Sequence, residues 1–183
     1  MINRGRYMII HSEQIKVCQL KRNDWRLLHI WLSNPVVAQY YEGRDVEMTK
    51  QFILDHYFDV DDCTRCLVYF EEQAIGYMQF YEVEQAFYDS FHYSSNEVIY
   101  GMDQFIGVPE FWNKGIGTEM IRLAVDYLFR VKKVNRIVMD PQVSNARAIH
   151  TYEKVGFKKL CKLQQHEQHE GEWRNCWLME IKQ

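Results

Sequence analysis

Two glycines one residue apart, in Asn113-Lys114-Gly115-Ile116-Gly117-Thr118, open the most strongly patterned stretch of this chain. From Ile116 onward the apolar residues Met120, Ile121, Ala124, Val125, Leu128 and Phe129 recur at helical spacing, so one face of a helix must be buried. The glycines let the backbone turn with its N–H groups converging, and the helix adds the positive end of its dipole. Such a loop can cradle phosphate, although a lone glycine pair is more often a simple turn. A second pattern narrows the choice: Asn145-Ala146-Arg147-Ala148-Ile149-His150-Thr151-Tyr152-Glu153-Lys154-Val155-Gly156-Phe157. Here Ser144 or Asn145 caps a helix, and Gly156 closes it where a left-handed residue is needed.

Upstream, residues 16–20 alternate as a strand should. Asp24 is placed to cap a helix over 25–32, which Asn34-Pro35 ends, and Thr49 to cap another over 49–57. Residues 66–70 and 74–81 are apolar runs joined by Glu71-Glu72-Gln73, the pattern of a β-hairpin. Residues 82–97 form a polar, aromatic-rich insertion before a strand over 98–106. A strand over 134–139 precedes the Asn145 helix. Two last strands, 157–163 and 175–181, are separated by a polar loop over 166–172. This order predicts a mixed α+β fold: one mostly antiparallel sheet with helices on both faces, in a single domain over residues 1–183.

Bulk properties exclude several classes. A formal charge of −3 argues against a nucleic-acid partner, whose proteins are usually basic. No apolar run approaches the length of a membrane span, and Tyr7-Met8-Ile9-Ile10 is too short for a signal peptide. With an odd number of cysteines, five, the expectation is a cytoplasmic protein. Cys63-x-x-Cys66 lacks the second pair of a zinc site and reads as two small, partly buried thiols; Cys18, Cys161 and Cys176 lie in strand-like runs and read as core. His166 and His169 lack the helical H-E-x-x-H pattern, so no metal is expected.

The glycine loop followed by the Asn145 helix with Tyr152 resembles the acetyl-CoA signature of the GNAT acetyltransferase superfamily. Tyr100-Gly101-Met102-Asp103-Gln104-Phe105-Ile106-Gly107, Asp140-Pro141 and Tyr40-Tyr41-Glu42-Gly43-Arg44-Asp45 are similar to the aminoglycoside 6'-N-acetyltransferases. Within these, the pattern looks like the acetyltransferase half of bifunctional acetyltransferase–phosphotransferase resistance enzymes. The resemblance implies that acetyl-CoA is bound by Lys114, Gly115, Ile116, Gly117, Thr118 and Asn145, with Phe105, Ile106 and Gly107 supplying backbone contacts, including N–H groups for the thioester carbonyl. Trp112 stands where the signature has Gln or Arg, which leaves the backbone N–H groups as the phosphate contacts; Lys114 either supplies charge or is merely solvated.

It further implies that Asp103 binds the reacting amine and serves as its base, and that Tyr152 bonds the departing sulfur. A free carboxylate near 3.9 and an ammonium near 10 differ by about six units, or about 8 kcal/mol. Asp103 is therefore expected to orient the amine and to pass its proton on as bond formation acidifies the nitrogen. A polycationic sugar would be met by Tyr40, Tyr41, Glu42, Asp140, Glu170 and Glu172 besides Asp103. The expected activity is acetylation of the 6'-amine of aminoglycosides. A polyamine or protein N-terminus is the alternative acceptor, and a CoA-binding regulatory module is the reading from another class. Oligomeric state is not legible.

Overall fold

The computed structural model describes residues 6–59 and 63–183; the first five residues of the N-terminal segment lie outside it. Its elements run β1 (Met8–His11), β2 (Ile15–Gln19), α1 (Trp25–Leu32), α2 (Pro35–Ala38), α3 (Lys50–Tyr57), β3 (Thr64–Phe70), β4 (Gln73–Glu82), α4 (Gln85–Phe91), β5 (Ile99–Ile106), α5 (Ile116–Tyr127), β6 (Arg136–Met139), α6 (Ala146–Val155), β7 (Lys158–His169) and β8 (Glu172–Lys182). Among the described residues, eight strands form one sheet in the order β1-β2-β3-β4-β5-β6-β8-β7. Every neighbouring pair is antiparallel except β5 and β6, which run parallel.

Both faces of the sheet are covered. The apolar stripe of α5, with Met120, Ile121, Ala124 and Val125, packs with Ile149 and Tyr152 of α6 onto Val68, Met78, Phe80, Met102 and Ile137. On the opposite face Leu28, Trp31 and Leu32 of α1 and Ile53 and Tyr57 of α3 pack onto Leu67, Tyr77 and Phe105. Strand alternation sends successive residues to opposite faces, which is why Met102 belongs to one cluster and Phe105 to the other. Caps fix the helix starts: Thr49 Oγ1 accepts from Phe52 N at 3.1 Å, Asn145 Oδ1 from Ala148 N at 3.2 Å. Gly156 ends α6 with φ of 118°, in the left-handed region.

Several expectations are corrected. Asp24 does not cap α1; its buried carboxylate is taken by the Arg6 guanidinium and by the backbone N–H of Lys21 at 2.7 Å. Asn34-Pro35 ends one helix and starts the next, Asn34 capping the single turn α2 with proline at its first position. The 82–97 insertion contains α4, and Met8–His11 is an additional edge strand. Residues 166–169 belong to β7 rather than to a loop, and the turn is confined to Glu170-Gly171. β7 is an edge strand exposed along most of its length, so it carries no apolar alternation to read, and Cys161 on it is exposed rather than core.

Candidate active site

The parallel contact between β5 and β6 is short. It joins Ile99, Tyr100 and Gly101 to Arg136, Ile137 and Val138, after which the chain leaving β6 follows β8, with Trp177 N donating to Pro141 O at 2.9 Å. From Met102 on, β5 has a neighbour on one side only. Gly107 N donates to Ile75 O at 2.8 Å, so by ladder alternation the odd residues of β5 bond β4, and Met102, Gln104 and Ile106 face the gap. A cavity of about 680 Å³ occupies this opening and is lined from both faces of the sheet, by Asp103, Phe105 and Tyr41 on one and by Gln104, Thr151 and Tyr152 on the other. Of the three residues expected to offer backbone N–H groups, Ile106 alone faces the gap. Gly107 spends its N–H on Ile75 and is packed against Trp31.

On the α5–α6 face, Gly115 precedes α5 with φ of 80°, and an added Cβ there would meet nothing within 4 Å. Gly117 is similarly open, the nearest atoms being Ile106 Cδ1 at 3.7 Å and Thr151 Cγ2 at 4.0 Å. No side chain caps α5, so its first-turn N–H groups stand free of any side-chain acceptor at the open end of a 12-residue helix. Gly115, Gly117, Thr118 and Asn145 line the cavity, and the side chain of Ile116 is turned into the core. A second cavity of about 820 Å³ lies against the same loop and is lined by Lys114, Arg122 and Lys154. Glycine openness, free helix N–H groups and three cations fit a phosphate-bearing cofactor such as acetyl-CoA.

Trp112 is held by its indole N–H, which donates to Ile106 O at 2.8 Å, and the Arg147 guanidinium lies 3.8 Å from one of its ring centroids and 4.7 Å from that of Tyr40. Arg147 is a cation beside the loop that sequence reasoning missed. No local signal marks it, because its role comes from its contact with Trp112, 35 positions away in the chain.

On the opposite face Asp103 Oδ2 accepts from Gln79 Nε2 at 2.8 Å, while Gln79 Oε1 accepts from the Tyr77 hydroxyl at 2.7 Å. The Tyr81 hydroxyl lies close enough to favour the charged form of Asp103 as well. Burial pushes the Asp103 carboxyl up to about 6; the bond from Gln79 opposes this, and Asp140 and Glu167 add to it. Tyr152 is buried and accepts from Gln104 Nε2 at 2.8 Å, which leaves its own hydrogen to donate elsewhere. Gln104 Oε1 is buried without a partner.

Tyr40, Tyr41 and Glu42 line the cavity, with the Tyr41 ring 4.7 Å from Phe105 and Glu42 accepting from the Tyr57 hydroxyl. Asp140 also lines it and pairs with His166 Nε2 at 2.9 Å, which raises the His166 imidazole. Glu170 and Glu172 do not line it. Glu170 is clamped by Arg44 at 2.5 and 2.6 Å, and Glu172 is exposed and pairs with Arg174 at 3.0 Å. Because β7 continues to His169, the carboxylate it delivers to the cavity is Glu167, held by Gln142 Nε2 at 3.1 Å. Among the described residues, no group of three or more His, Cys, Asp or Glu side chains is placed to hold a metal, and no helix is long and apolar enough to cross a membrane.

The acetyltransferase (GNAT) domain family matches residues 21–165, most of the chain. The chain belongs to the GNAT acetyltransferases. It is similar to aminoglycoside N(6')-acetyltransferase type 1 of Klebsiella pneumoniae, at 25% identity over 81% of this chain and 76% of that one. It is also similar to spermidine N(1)-acetyltransferase of Escherichia coli K12, at 25% identity over 92% of this chain and 86% of that one. In structure it resembles aminoglycoside acetyltransferase AAC(6')-Ib in complex with coenzyme A, with a TM-score of 0.72 at 22% identity over 92% of this chain and 95% of that one. The last likeness carries the fold. As a GNAT acetyltransferase the protein is an acetyl-CoA-dependent N-acetyltransferase.

Proposed function

We propose that this GNAT acetyltransferase moves the acetyl group of acetyl-CoA to the 6'-amino group of aminoglycoside antibiotics and so confers resistance. The observation that carries the reading is the opening beside β5, with the Asp103 carboxylate on one side and Tyr152 on the other. Acetyl-CoA supplies a thioester whose carbonyl carbon forms the new C–N bond as the C–S bond breaks. Asp103 holds the ammonium and takes its proton. Being held near 6 rather than 3.8, it narrows the mismatch with an ammonium near 10 to about four units, or about 5 kcal/mol. The Ile106 N–H faces the gap, where it can donate to the carbonyl oxygen, and the Tyr152 hydroxyl gives its proton to the leaving sulfur, to be replaced by the second proton that the acylated nitrogen sheds.

The acceptor class is supported by charge and shape together. Asp103, Asp140, Glu42 and Glu167 put carboxylates around one cavity whose walls include Tyr40, Tyr41, Phe105 and Trp112. Several ammonium groups on a ringed scaffold match that surface. The relative named for spermidine favours a polyamine as second reading, with a protein N-terminus behind it. Mass spectrometry of products from kanamycin, spermidine and an N-terminal peptide, each with acetyl-CoA, separates them. The expected product is kanamycin heavier by one acetyl group on its 6'-nitrogen. Turnover of spermidine with none of kanamycin would reject the aminoglycoside reading.

A further inference from the structure

We propose that Gln79 is a positioning residue for Asp103: its amide, locked in one orientation by the Tyr77 hydroxyl, aims the carboxylate at the gap and keeps it charged. This rests on the reading that Asp103 receives the amine proton. Gln79 and Asp103 are directly opposite each other in the β4–β5 ladder, as are Tyr77 and Phe105, and Tyr81 and Gly101. Three side chains of β4 thus stand in a row on the face that carries Asp103. An amide presents a donor at one end and an acceptor at the other, and either end could face Asp103. The Tyr77 hydroxyl donates to Gln79 Oε1 at 2.7 Å, as does the Cys63 thiol at 3.6 Å, while Nε2 donates to Asp103 Oδ2 at 2.8 Å. Were the amide reversed, its oxygen would oppose the carboxylate.

Gly101 completes the arrangement. A Cβ at this position would lie 2.6 Å from the Tyr81 ring and 2.8 Å from its hydroxyl, so the missing side chain is what lets Tyr81 lie across β5, two residues from Asp103. The bond from Gln79 and the nearby Tyr81 hydroxyl both favour the carboxylate, offsetting part of its desolvation and of the repulsion from Asp140 and Glu167. Tyr41, Tyr57 and Tyr152 are near enough to interact with Asp103 through their charge, and burial pushes each of them up, so none carries charge at neutral pH. Gln79 is therefore a neutral donor in a site where an added cation would compete with the substrate ammonium.

The test follows the Asp103 carboxyl directly, by carbon-13 NMR titration of the free protein labelled at the aspartate carboxyls, with Asp103→Asn to assign the signal. In the wild type the midpoint is expected near 6. Gln79→Met removes the donor and should raise it by about one to two pH units, the value of one hydrogen bond to a charged group. Gln79→Glu keeps the shape but places a second carboxylate there, and should raise it at least as far. Tyr77→Phe removes one of the two donors to Gln79 Oε1, leaving the Cys63 thiol, and should give a smaller rise. The acid limb of kcat/KM, measured with whichever amine is turned over, should move with these midpoints. An Asp103 midpoint unchanged in folded Gln79→Met and Gln79→Glu would overturn the proposal. Because the titration needs no acceptor, an error in the substrate shows only in the product analysis.

Discussion

Asp103→Asn should make the protein less active and more stable at the same time, and the two effects have one origin. The Asp103 carboxyl is raised from 3.8 to about 6 in the folded protein, mainly by burial. Between those values the folded state holds a proton that the unfolded chain has released, so stability falls as pH rises through this window. Above it the whole cost is present, about 3 kcal/mol for a shift of about two units. Water in the open cleft relieves part of this, so replacing the charged carboxylate by a neutral amide should return about 1–2 kcal/mol at pH 7.5. For a domain of this size that is an increase of about 2–8 °C in Tm. The gain should shrink at pH 4, where wild-type Asp103 is protonated. Turnover should fall by roughly a hundredfold or more, in the range of general acid–base groups. The loss should persist at alkaline pH, since Asp103 also orients the amine. Scanning calorimetry at the two pH values, paired with steady-state kinetics, checks both parts. A stability difference independent of pH would refute the desolvation argument, and unchanged turnover would refute the role of Asp103.

Gly117→Asp should fold, since a Cβ there meets only ordinary contacts, yet should lose acetyl-CoA binding because its charge opposes the phosphates; titration calorimetry with unchanged affinity would take the loop out of the site. Tyr152→Phe should lower kcat while both KM values change little, the mark of an interaction made in the transition state. Equal kcat in the two proteins would leave Tyr152 as packing. Gly107→Ala should cost about 1–3 kcal/mol in chemical denaturation, since its Cβ would lie 2.2 Å from buried Trp31, while the folded variant keeps its affinity for acetyl-CoA. Weakened binding with unchanged stability would return Gly107 to the cofactor site.

The helices around the site were legible because their signals are local. The apolar spacing after Gly117, the Asn145 cap and the closing Gly156 each act within a turn or two, and the structure has α5 and α6 where they predict them. Asp103 stands out in the sequence because a carboxylate in a mostly apolar strand needs a reason. What escaped depends on contacts between residues far apart in sequence. Gln79 and Tyr81 acquire their meaning only from the β4–β5 register, and Arg147 only from its stacking on Trp112. The acidic residues near the C-terminus were assigned one turn of chain too late. β7 extends to His169 with little buried surface, so nothing in its hydrophobicity marks where the strand stops, and Glu167 faces the cavity while Glu170 is drawn off by Arg44.

The opening between β5 and β6 also divides the molecule's evolutionary freedom. The donor side is built largely from glycine backbone and the start of a helix, which tolerate few replacements. On the acceptor side, side chains line the wall from three separate stretches: Tyr40 to Glu42, Asp140 to Gln142, and His166 with Glu167. Those stretches are far apart in sequence, so each can change on its own. A lineage carrying this fold can thus drift from one amine to another while its acetyl donor stays the same.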